Sequence, residues 1–391
     1  MCILPRVSRL TDLLFARRDA VPAPSRMIGF PLDGGVMPYN VTSSTSLALS
    51  AVWRCLDVLS NGVSQLEWSE RRGNLELPLS RLVLRPQGER TRREWTSLVV
   101  STLALFDVCY LLKVGGEDAE GVPFSLWPLD PSMVMPVSQD YITFLPPAEF
   151  WIGGAEGAHR VSRDQLVILH RGPNPGVVDG TGGVIQLART TFAAAIAAEN
   201  YASRYWQSGG SPTTVLETDQ QIPDAIAQQM SDRWRERRMK GPDYAPVLSG
   251  GVKARDMGAD PTTASAVEAR RELVADIGRY FGVPTRILNA PTGDTETYAT
   301  SESSNMDLVR YTLQNYIGAI EDAITDQLPP GRHMVMDTER LVRPNHLALA
   351  QSLQLATGNQ AWMTIDEARE AIGLPPAEIP IAQPVKSGAI A

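Results

Sequence analysis

Near the start of the chain, apolar residues recur every three or four positions, the spacing of a helix with one buried face. The series runs from Leu47 through Leu59 to Leu66 and predicts a first helix over residues 46–64. Residues 19–40, just before this series, hold four prolines and no helical period. We therefore expect the folded body to begin near position 41, after an N-terminal arm.

A second helix is predicted from the capping box that Thr91 forms with Glu94, and we expect it to end near Val108. Between Tyr110 and His170 the pattern changes to short β-rich runs, which Gly, Pro and Asp residues separate: YLLKV, FSLWPL, MVMPV, YITFL and QLVILH. Runs of this kind are typical of antiparallel strands joined by tight turns. The sequence therefore predicts a mostly antiparallel sheet region here.

Two predicted helices then bracket a small module. The first covers residues 184–208 as one long helix, and the seven alanines between Ala188 and Ala202 allow close neighbours. Residues 212–258 follow as a β-α-β module, and residues 264–282 form the second helix.

A third long helix carries an apolar stripe from Met306 to Leu328. Gly318 is its expected weak point, because glycine costs about 1 kcal/mol relative to alanine inside a helix. A last strand precedes a pair of helices, predicted at 345–357 and 365–372. Together these elements indicate an α+β fold.

Composition narrows the function classes. The 391 residues are 43% hydrophobic and 20% charged, as in an ordinary globular protein of two or three domains. The net charge of −8 argues against tight gripping of nucleic acid, which needs a basic surface. Residues 98–112 are the most apolar stretch, and they are shorter than the ~20 residues that cross a bilayer. No membrane association is expected.

The sequence contains near matches to nucleotide-binding and metal-binding motifs, but none of them has the required spacing. The Gly180-Thr181-Gly182-Gly183 turn fails the G-x-G-x-x-G spacing, and no Gly-Lys-Ser/Thr phosphate loop occurs. The three cysteines and four histidines are scattered without metal-ligand spacing. We therefore expect neither an enzyme nor a cofactor.

One basic cluster stands out on the helix of the β-α-β module, in an otherwise acidic chain. Its members are Arg233, Arg235, Arg237, Arg238 and Lys240, with Glu236 among them. Basic residues at a helix C-terminus interact favourably with the helix dipole, which is one explanation for the cluster. The other explanation is a contact with a partner or a phosphate.

Six segments of the chain occur in the order found in HK97-type portal proteins of tailed bacteriophages. The chain resembles this family over about residues 41–378. The segments are SLALSAVWRCLDVLSNGVSQLEW, LWPLDPSMVMPV, QLVILHRGPNPGVVDGTGGVIQLA, AAENYASRYWQSGGSPTTVLE, DIGRYFGVPTRIL and MTIDEAREAIGLPP.

Three short departures from the family pattern affect local turns. The usual Pro-Asn after the early helix reads Arg85-Pro86-Gln87 here, and the usual Gly-Asn-Ala-Tyr reads Asp107-Val108-Cys109-Tyr110. The glycine expected after FGVPTRIL is replaced by Asn289.

The resemblance implies a portal-type α+β fold with a β-rich and helical wing, a two-helix stem, a small α/β clip, a long helix, either straight or kinked, and a C-terminal helical crown. The implied boundaries are 1–40 for a partly disordered arm, 41–183 with 301–343 for the wing, 184–211 for the first stem helix, 212–258 for the clip, 259–288 for the second stem helix, 289–300 for the tunnel loop, 344–378 for the crown and 379–391 for a disordered tail.

The resemblance also implies a function and partners. The protein would form a ring, expected to be a dodecamer, at one capsid vertex, after synthesis in the host cytoplasm. Double-stranded DNA would pass through the ring during packaging and ejection. The major capsid protein, the terminase and the head–tail adaptor would bind to it.

Two sets of site residues follow from the resemblance. The tunnel loop would face DNA through Thr292, Gly293, Asp294, Thr295, Glu296, Thr297 and Tyr298, where the two carboxylates would repel phosphates and keep contact transient. An ordinary connector on the outside of the ring is the alternative for this loop. The basic cluster on the clip would meet the terminase or the adaptor.

Two rival functions share parts of this evidence. A non-portal connector or tail adaptor ring would also lack catalytic motifs, but it would not need the order stem, module, stem. A nucleotide-driven motor enzyme would need the phosphate loop, which this sequence lacks.

Overall fold

A computed structural model gives the fold of the chain. It describes residues 41–137, 147–154, 157–172, 183–207, 214–217, 223–239, 253–256, 264–288, 306–338, 341, 346–358 and 361–375. The helices are α1 (Ser43–Leu47), α2 (Ser50–Ser64), α3 (Arg81–Leu84), α4 (Arg92–Phe106), α5 (Val184–Leu187), α6 (Arg189–Gln207), α7 (Asp224–Met239), α8 (Ala264–Phe281), α9 (Gln314–Thr325), α10 (His346–Ala356) and α11 (Ile365–Ala371). A π-helical segment, Leu308–Leu313, leads into α9.

The strands form small antiparallel sheets. They are β1 (Glu67–Arg72), β2 (Leu75–Leu77), β3 (Val108–Glu117), β4 (Pro123–Leu129), β5 (Val134–Pro136), β6 (Glu149–Gly154), β7 (Gly157–Ser162), β8 (Leu166–His170), β9 (Thr214–Glu217), β10 (Lys253–Asp256) and β11 (His333–Asp337). The strand orders are β11-β1-β2, β4-β3-β8, β5-β6-β7 and β10-β9. The antiparallel prediction for the region between Tyr110 and His170 is confirmed.

The predicted strand list for that region is incomplete. Strands β6 and β7 form a paired hairpin in which Phe150 lies opposite Val161, and neither strand was predicted. Glycines on both sides of the hairpin turn and the polar pair His159-Arg160 obscure the alternation of apolar residues. The predicted strand in YITFL, residues 141–145, falls outside the described residues.

The first predicted helix, 46–64, is wrong in its continuity, because α1 and α2 are separate helices. Ala48 closes α1, and Leu49 takes an extended backbone with φ −76° and ψ 122°. Leu49 is buried. Burial of this side chain in the core favours the break over one straight helix.

Helices α2 and α4 pack together to form the main core. Trp95 on α4 is fully buried, and its indole N–H donates a 2.9 Å hydrogen bond to the carbonyl of Leu126. Its ring meets Trp68 edge to face, with 6.1 Å between the ring centroids. The capping box of Thr91 with Glu94 opens α4 as predicted. The helix ends at Phe106, since the next residues turn into β3.

The predicted helix 184–208 is also interrupted. Helix α5 ends at Leu187, and Ala188, which is fully buried, has non-helical angles of φ −90° and ψ 11° before α6 begins. Gly183 fixes the start of α5 against α4, because a side chain there would collide with the backbone of Phe106. This tertiary contact sets the local geometry, and the alanine-rich sequence gives no sign of it.

The third long helix deviates from regular α-geometry at Leu308–Leu313 and not at Gly318, where we expected it. The π-helical segment is held by two neighbours. Thr312 donates a 2.7 Å hydrogen bond from its hydroxyl to the carbonyl of Gly282, and Leu313 packs on Gly62. π-Helical turns occur where side chains are re-aimed for contacts of this kind.

The last strand and the final pair of helices agree with their predictions. Strand β11 pairs with β1, which joins the C-terminal part of the chain to the first sheet. The predicted capping box of Thr364 with Glu367 opens α11.

Candidate channel and partner-binding regions

The predicted tunnel loop lies outside the described residues. Thr292, Gly293, Asp294, Thr295, Glu296, Thr297 and Tyr298 all fall within 289–305, which the structure does not describe. Both flanks of that segment are described, and they contact each other.

The N-terminal flank folds back after α8. Gly282 takes a left-handed backbone with φ +70° and ends the helix, and Val283 then donates its N–H to the carbonyl of Gly278 at 2.9 Å. This αL closure is a common helix stop that favours glycine. Arg54 on α2 donates from Nε to the carbonyl of Ile287 at 3.4 Å. The flank is therefore tied to α2 as well as to α8.

The C-terminal flank meets the same junction. The 2.7 Å hydrogen bond from Thr312 to the carbonyl of Gly282 joins the π-helical segment to the end of α8. A Cβ atom on Gly282 would lie only 2.8 Å from the Thr312 hydroxyl oxygen, so the close approach needs glycine. The described elements on either side of residues 289–305 are thus joined by this contact.

The β-α-β module is present, with β9 and β10 paired in antiparallel register and α7 between them in the chain. Positions 233, 235, 237 and 238 of the basic cluster lie on α7. Arg233 is exposed, and the side chains of the other three are not described. Lys240 falls outside the described residues.

Helices α6 and α8 pack against each other and connect the module with the body. Phe192 on α6 stacks on Phe281 of α8, with 6.5 Å between ring centroids and 14° between ring planes. Ala193 and Ala195 are buried in the same half of α6. The small side chains let the helices approach closely, as the alanine content predicted.

A polar cluster that the sequence did not reveal joins three parts of the body. Asp107, with a left-handed φ of 58°, pairs with Arg171 at 2.8 Å. Arg171 also donates a 3.2 Å hydrogen bond to the hydroxyl of Tyr316 on α9. Burial raises the pKa of Tyr316, and the Arg171 guanidinium partly offsets that rise. The one sign of this cluster in the sequence is that Asp107 replaces the glycine of the family pattern.

A second unpredicted contact crosses the first sheet. Glu70 on β1 is fully buried and accepts a 2.7 Å hydrogen bond from the backbone N–H of Ser80. Arg332, just before β11, lies 3.4 Å from the other carboxylate oxygen. The sequence of β1, EWSERR, contains several charged residues. Its pattern therefore gives no sign that Glu70 is buried and bonded.

The described residues offer little for chemistry. Burial raises the pKa of the Cys55 thiol to about 12 and raises that of Cys109 as well, so both stay protonated at neutral pH. In the described part of the chain, no group of three or more His, Cys, Asp or Glu side chains could hold a metal ion. No helix there is long and apolar enough to span a bilayer.

Comparison with known proteins gives a consistent result. A family model described as phage portal protein matches residues 50–373. The portal protein of Enterobacteria phage HK97 is 24% identical over 369 residues, which cover 86% of this chain and 81% of the relative. A probable portal protein of Streptomyces phage phiC31 is 26% identical over 140 residues, covering 35% of this chain and 30% of that protein.

Solved structures share the fold at low sequence identity. An HK97-family phage portal protein from Corynebacterium diphtheriae has a TM-score of 0.60 at 17% identity, covering 78% of this chain and 98% of its own. A chain in the neck of a native gene transfer agent particle, computed with C12 symmetry, has a TM-score of 0.57 at 17% identity and covers 87% of this chain and 95% of its own.

The family match includes the sheets and core, the packed helices α6 and α8, and the C-terminal helices. The alternative function, a non-portal connector or tail adaptor ring, is therefore not favoured. The family model alone spans most of the chain. The mixed arrangement of helices and antiparallel sheets described above is the arrangement of HK97-family portal structures. The chain belongs to the phage portal protein family.

Proposed function

We propose that this portal protein assembles into a closed ring of twelve subunits at one capsid vertex of a phage-like particle. The observation that carries the proposal is the family match over residues 50–373. The likeness to a chain from a particle neck computed with C12 symmetry supports the number of subunits, and a ring of twelve also fits a second neck, computed with C6 symmetry. Closed rings are the ordinary result of a head-to-tail interface whose rotation closes.

Within such a ring, the elements take the following roles. Residues 41–183 with 301–343 form the wing, α6 and α8 form the stem, and the module of β9, α7 and β10 forms the clip. Residues 289–300 form the tunnel loop, and 344–378 form the crown. The position of the module between two packed helices supports the stem and clip assignment.

The ring acts as a conduit for double-stranded DNA and not as an enzyme. An acidic chain of net charge −8 repels phosphates, which keeps DNA free to slide. A separate terminase then supplies the energy for packaging. ATP hydrolysis by the purified protein, abolished by one point change in this chain, would contradict the proposal.

The tunnel loop is the part of the chain that we assign to the DNA path. Its carboxylates, Asp294 and Glu296, would repel phosphates, while its hydroxyl groups would offer weak, sequence-independent hydrogen bonds. A photo-cross-linker at Thr295 should capture DNA in filled particles. If it captures none there, the loop is a surface connector.

The clip is the part that we assign to the terminase and the head–tail adaptor. Reversing the charge of Arg233 and Arg237, one helical turn apart on α7, should block packaging or tail joining while rings still form. The matched control replaces both residues with lysine, which keeps the charge. Normal particle yields from the charge-reversed variant would show that the cluster binds neither partner, and interaction with the helix dipole would then explain it.

The proposal also assigns the ring a location in the particle and a further partner, the major capsid protein. The mature ring lies in the virion at the portal vertex, where the wing contacts the major capsid protein, and the subunits are made in the host cytoplasm. Negative-stain images of the purified protein give the first test. Rings with an axial hole are expected, and discrete subunits at every concentration would contradict the proposal.

A further inference from the structure

A polar groove lies on the body of the protein, between the last turn of α2 and the start and middle of α4. Its volume is about 410 Å³. We call it the α2–α4 groove, and the polar side chains that line it include those of Asn61, Ser64, Arg90, Arg93, Ser97 and Ser101. Most of these side chains carry N–H or O–H donors. The groove therefore offers its donors to an acceptor-rich ligand.

The two arginines of the groove lie at the end of α4 that disfavours cations. A helix carries a partial positive charge at its N-terminus, which stabilises anions there. Arg93 lies in the first turn of α4, and Arg90 directly precedes the N-cap residue Thr91. Both arginines are exposed, and neither forms an ion pair within the part of the chain that the structure describes. An anion in the groove would offset this unfavourable placement.

The arginine between them shows what a structural partner looks like at this place. Arg92 packs its guanidinium over the ring of Trp68, 5.4 Å from the ring centroid. A cation in this position is attracted by the face of the aromatic ring. Packing within the chain thus explains Arg92, but it does not explain the two arginines that line the groove.

Ser64 is a second and independent sign of a ligand. It lines the groove and is only 8% exposed, and its hydroxyl oxygen has no hydrogen-bond partner. Hydroxyl groups within helices can bond to a carbonyl one turn back, as those of Thr96, Ser101 and Thr102 on α4 do at 2.8 Å. A buried polar group without a partner is costly. An oxyanion would supply the missing acceptor.

One carboxylate, that of Glu94, also lines the groove, but it is engaged by the cap of α4. Its Oε2 atom accepts a 3.0 Å hydrogen bond from the N–H of Thr91 and a 2.9 Å hydrogen bond from the Thr91 hydroxyl. These bonds are the main cause of the lowered pKa of Glu94, and the charge of Arg90 adds to them. Two arginines against this carboxylate leave the lining cationic.

We propose that the α2–α4 groove binds a phosphate group. Guanidinium groups bind phosphate oxygens through paired N–H donors. The hydroxyls of Ser64 and Ser97, which have no partner among the described residues, can donate to further oxygens of the same group. This set of donors exceeds what the two oxygens of a carboxylate can use, so a tetrahedral oxyanion fits it better.

The phosphate group has two conceivable sources, inorganic phosphate in solution and the backbone of a DNA strand. The second source rests on the proposed function, and the first does not. Isothermal titration calorimetry of the full chain with inorganic phosphate, at constant ionic strength, tests the site itself. We expect saturable binding at one site per chain, which sulfate competes for and acetate does not. The absence of saturable binding, or equal competition by acetate, would overturn the proposal.

A serine substitution separates a binding role from a structural one. Ser64→Ala should weaken phosphate binding at least about tenfold, since a hydrogen bond to a charged group is lost. Without phosphate this variant should be as stable as the wild type, because the hydroxyl that it lacks has no partner. Ser60→Ala is the matched control, since Ser60 on α2 is 7% exposed and does not line the groove. Equal phosphate affinity of the two variants would overturn the proposal.

A double arginine substitution tests the cationic lining at exposed positions, where folding is not at risk. Arg90→Gln with Arg93→Gln should weaken phosphate binding by about a hundredfold or more. The matched control, Arg71→Gln with Arg72→Gln, removes the same charge from exposed positions on β1 that do not line the groove. Wild-type affinity in the first double variant would contradict the proposal.

Fluorescence anisotropy with a short labelled DNA duplex distinguishes the two sources. If the phosphate belongs to DNA, the Arg90 and Arg93 double variant loses duplex binding, while the β1 double variant keeps it. If inorganic phosphate alone binds, the source is free phosphate, and either result supports the site. Duplex binding that survives in the Arg90 and Arg93 variant, with no response to inorganic phosphate, would overturn it. These tests do not require ring formation, so failure of the proposed ring is distinguishable from failure of the site.

Discussion

The body of the protein and its stem helices differ in how completely they bury their apolar residues. On α2, the side chains of Val52, Leu59 and Val63 have no exposed surface. On α8, the buried side chains Ile277 and Phe281 lie at the end nearest the body. Farther along the stem, Val267 on α8 and Trp206 on α6 stay exposed. The body therefore has a core of its own, and the proposed ring would cover the exposed side chains at the far ends of α6 and α8.

The largest expected effect comes from removing one tryptophan in each region. Trp95→Ala should lower the free energy of unfolding by about 4 kcal/mol, because it leaves a cavity and an unpaired Leu126 carbonyl. Trp206→Ala, which removes a side chain that is 62% exposed, should change the free energy of unfolding of the isolated subunit by less than about 0.5 kcal/mol. Chemical unfolding followed by circular dichroism measures both.

Equal destabilisation by the two substitutions would show that the stem is already packed in the isolated subunit. The contrast between the regions would then be lost.

A pair of glycines tests the junction between stem and body. Gly282→Ala should cost about 3 kcal/mol, because the new Cβ atom would lie 2.8 Å from the Thr312 hydroxyl in a left-handed backbone. Gly73→Ala is the matched control, since Gly73 has φ +61° and open space around it, and it should cost about 1 kcal/mol. Urea unfolding compares the two variants, and similar losses would mean that the Thr312 contact is unimportant.

The Asp107 cluster gives a smaller effect within the body. Asp107→Ala should destabilise by about 2 kcal/mol, because it strains the left-handed backbone and leaves Arg171 without its carboxylate. Asp107→Asn should cost about 1 kcal/mol, since asparagine tolerates the left-handed conformation. Thermal unfolding gives the order of the two variants, and an alanine variant as stable as the wild type would contradict the assignment.

The smallest expected effect concerns Glu321 on α9. Burial raises the pKa of this carboxyl, against the opposing hydrogen bond from the Met336 N–H. A carboxyl with a raised pKa destabilises the fold at neutral pH, where it is ionised, and this penalty disappears as pH falls. Glu321→Gln keeps the acceptor, so it should unfold at a slightly higher temperature than the wild type at pH 7.

The difference in unfolding temperature between the glutamine variant and the wild type should shrink as pH falls from 7 to 4. A difference that grows toward acid pH would show that the ionised carboxylate is the stabilising form.

Local signals in the sequence predicted much of the fold. The capping boxes at Thr91 and Thr364 depend on residues three positions apart, and the structure has both. The breaks at Leu49 and Ala188 were not predictable in this way, because burial against distant residues sets them. The same holds for the π-helical segment, which packs on Gly62 of α2 and on Gly282 just after α8.

The sequence identified the family more readily than it identified the candidate sites. The order of six segments identified the family, and the comparisons confirm it. The tunnel loop and most of the basic cluster lie outside the described side chains, so their roles stay predictions. The Glu70 and Arg332 contact joins residues 262 positions apart, a pairing that no local pattern contains.

Native mass spectrometry of the intact purified protein tests the central claim most directly. We expect an assembly with twelve times the mass of the 42.7 kDa chain, in equilibrium with few free subunits. Subunits or dimers at micromolar concentration, with no ring after capsid partners are added, would contradict it.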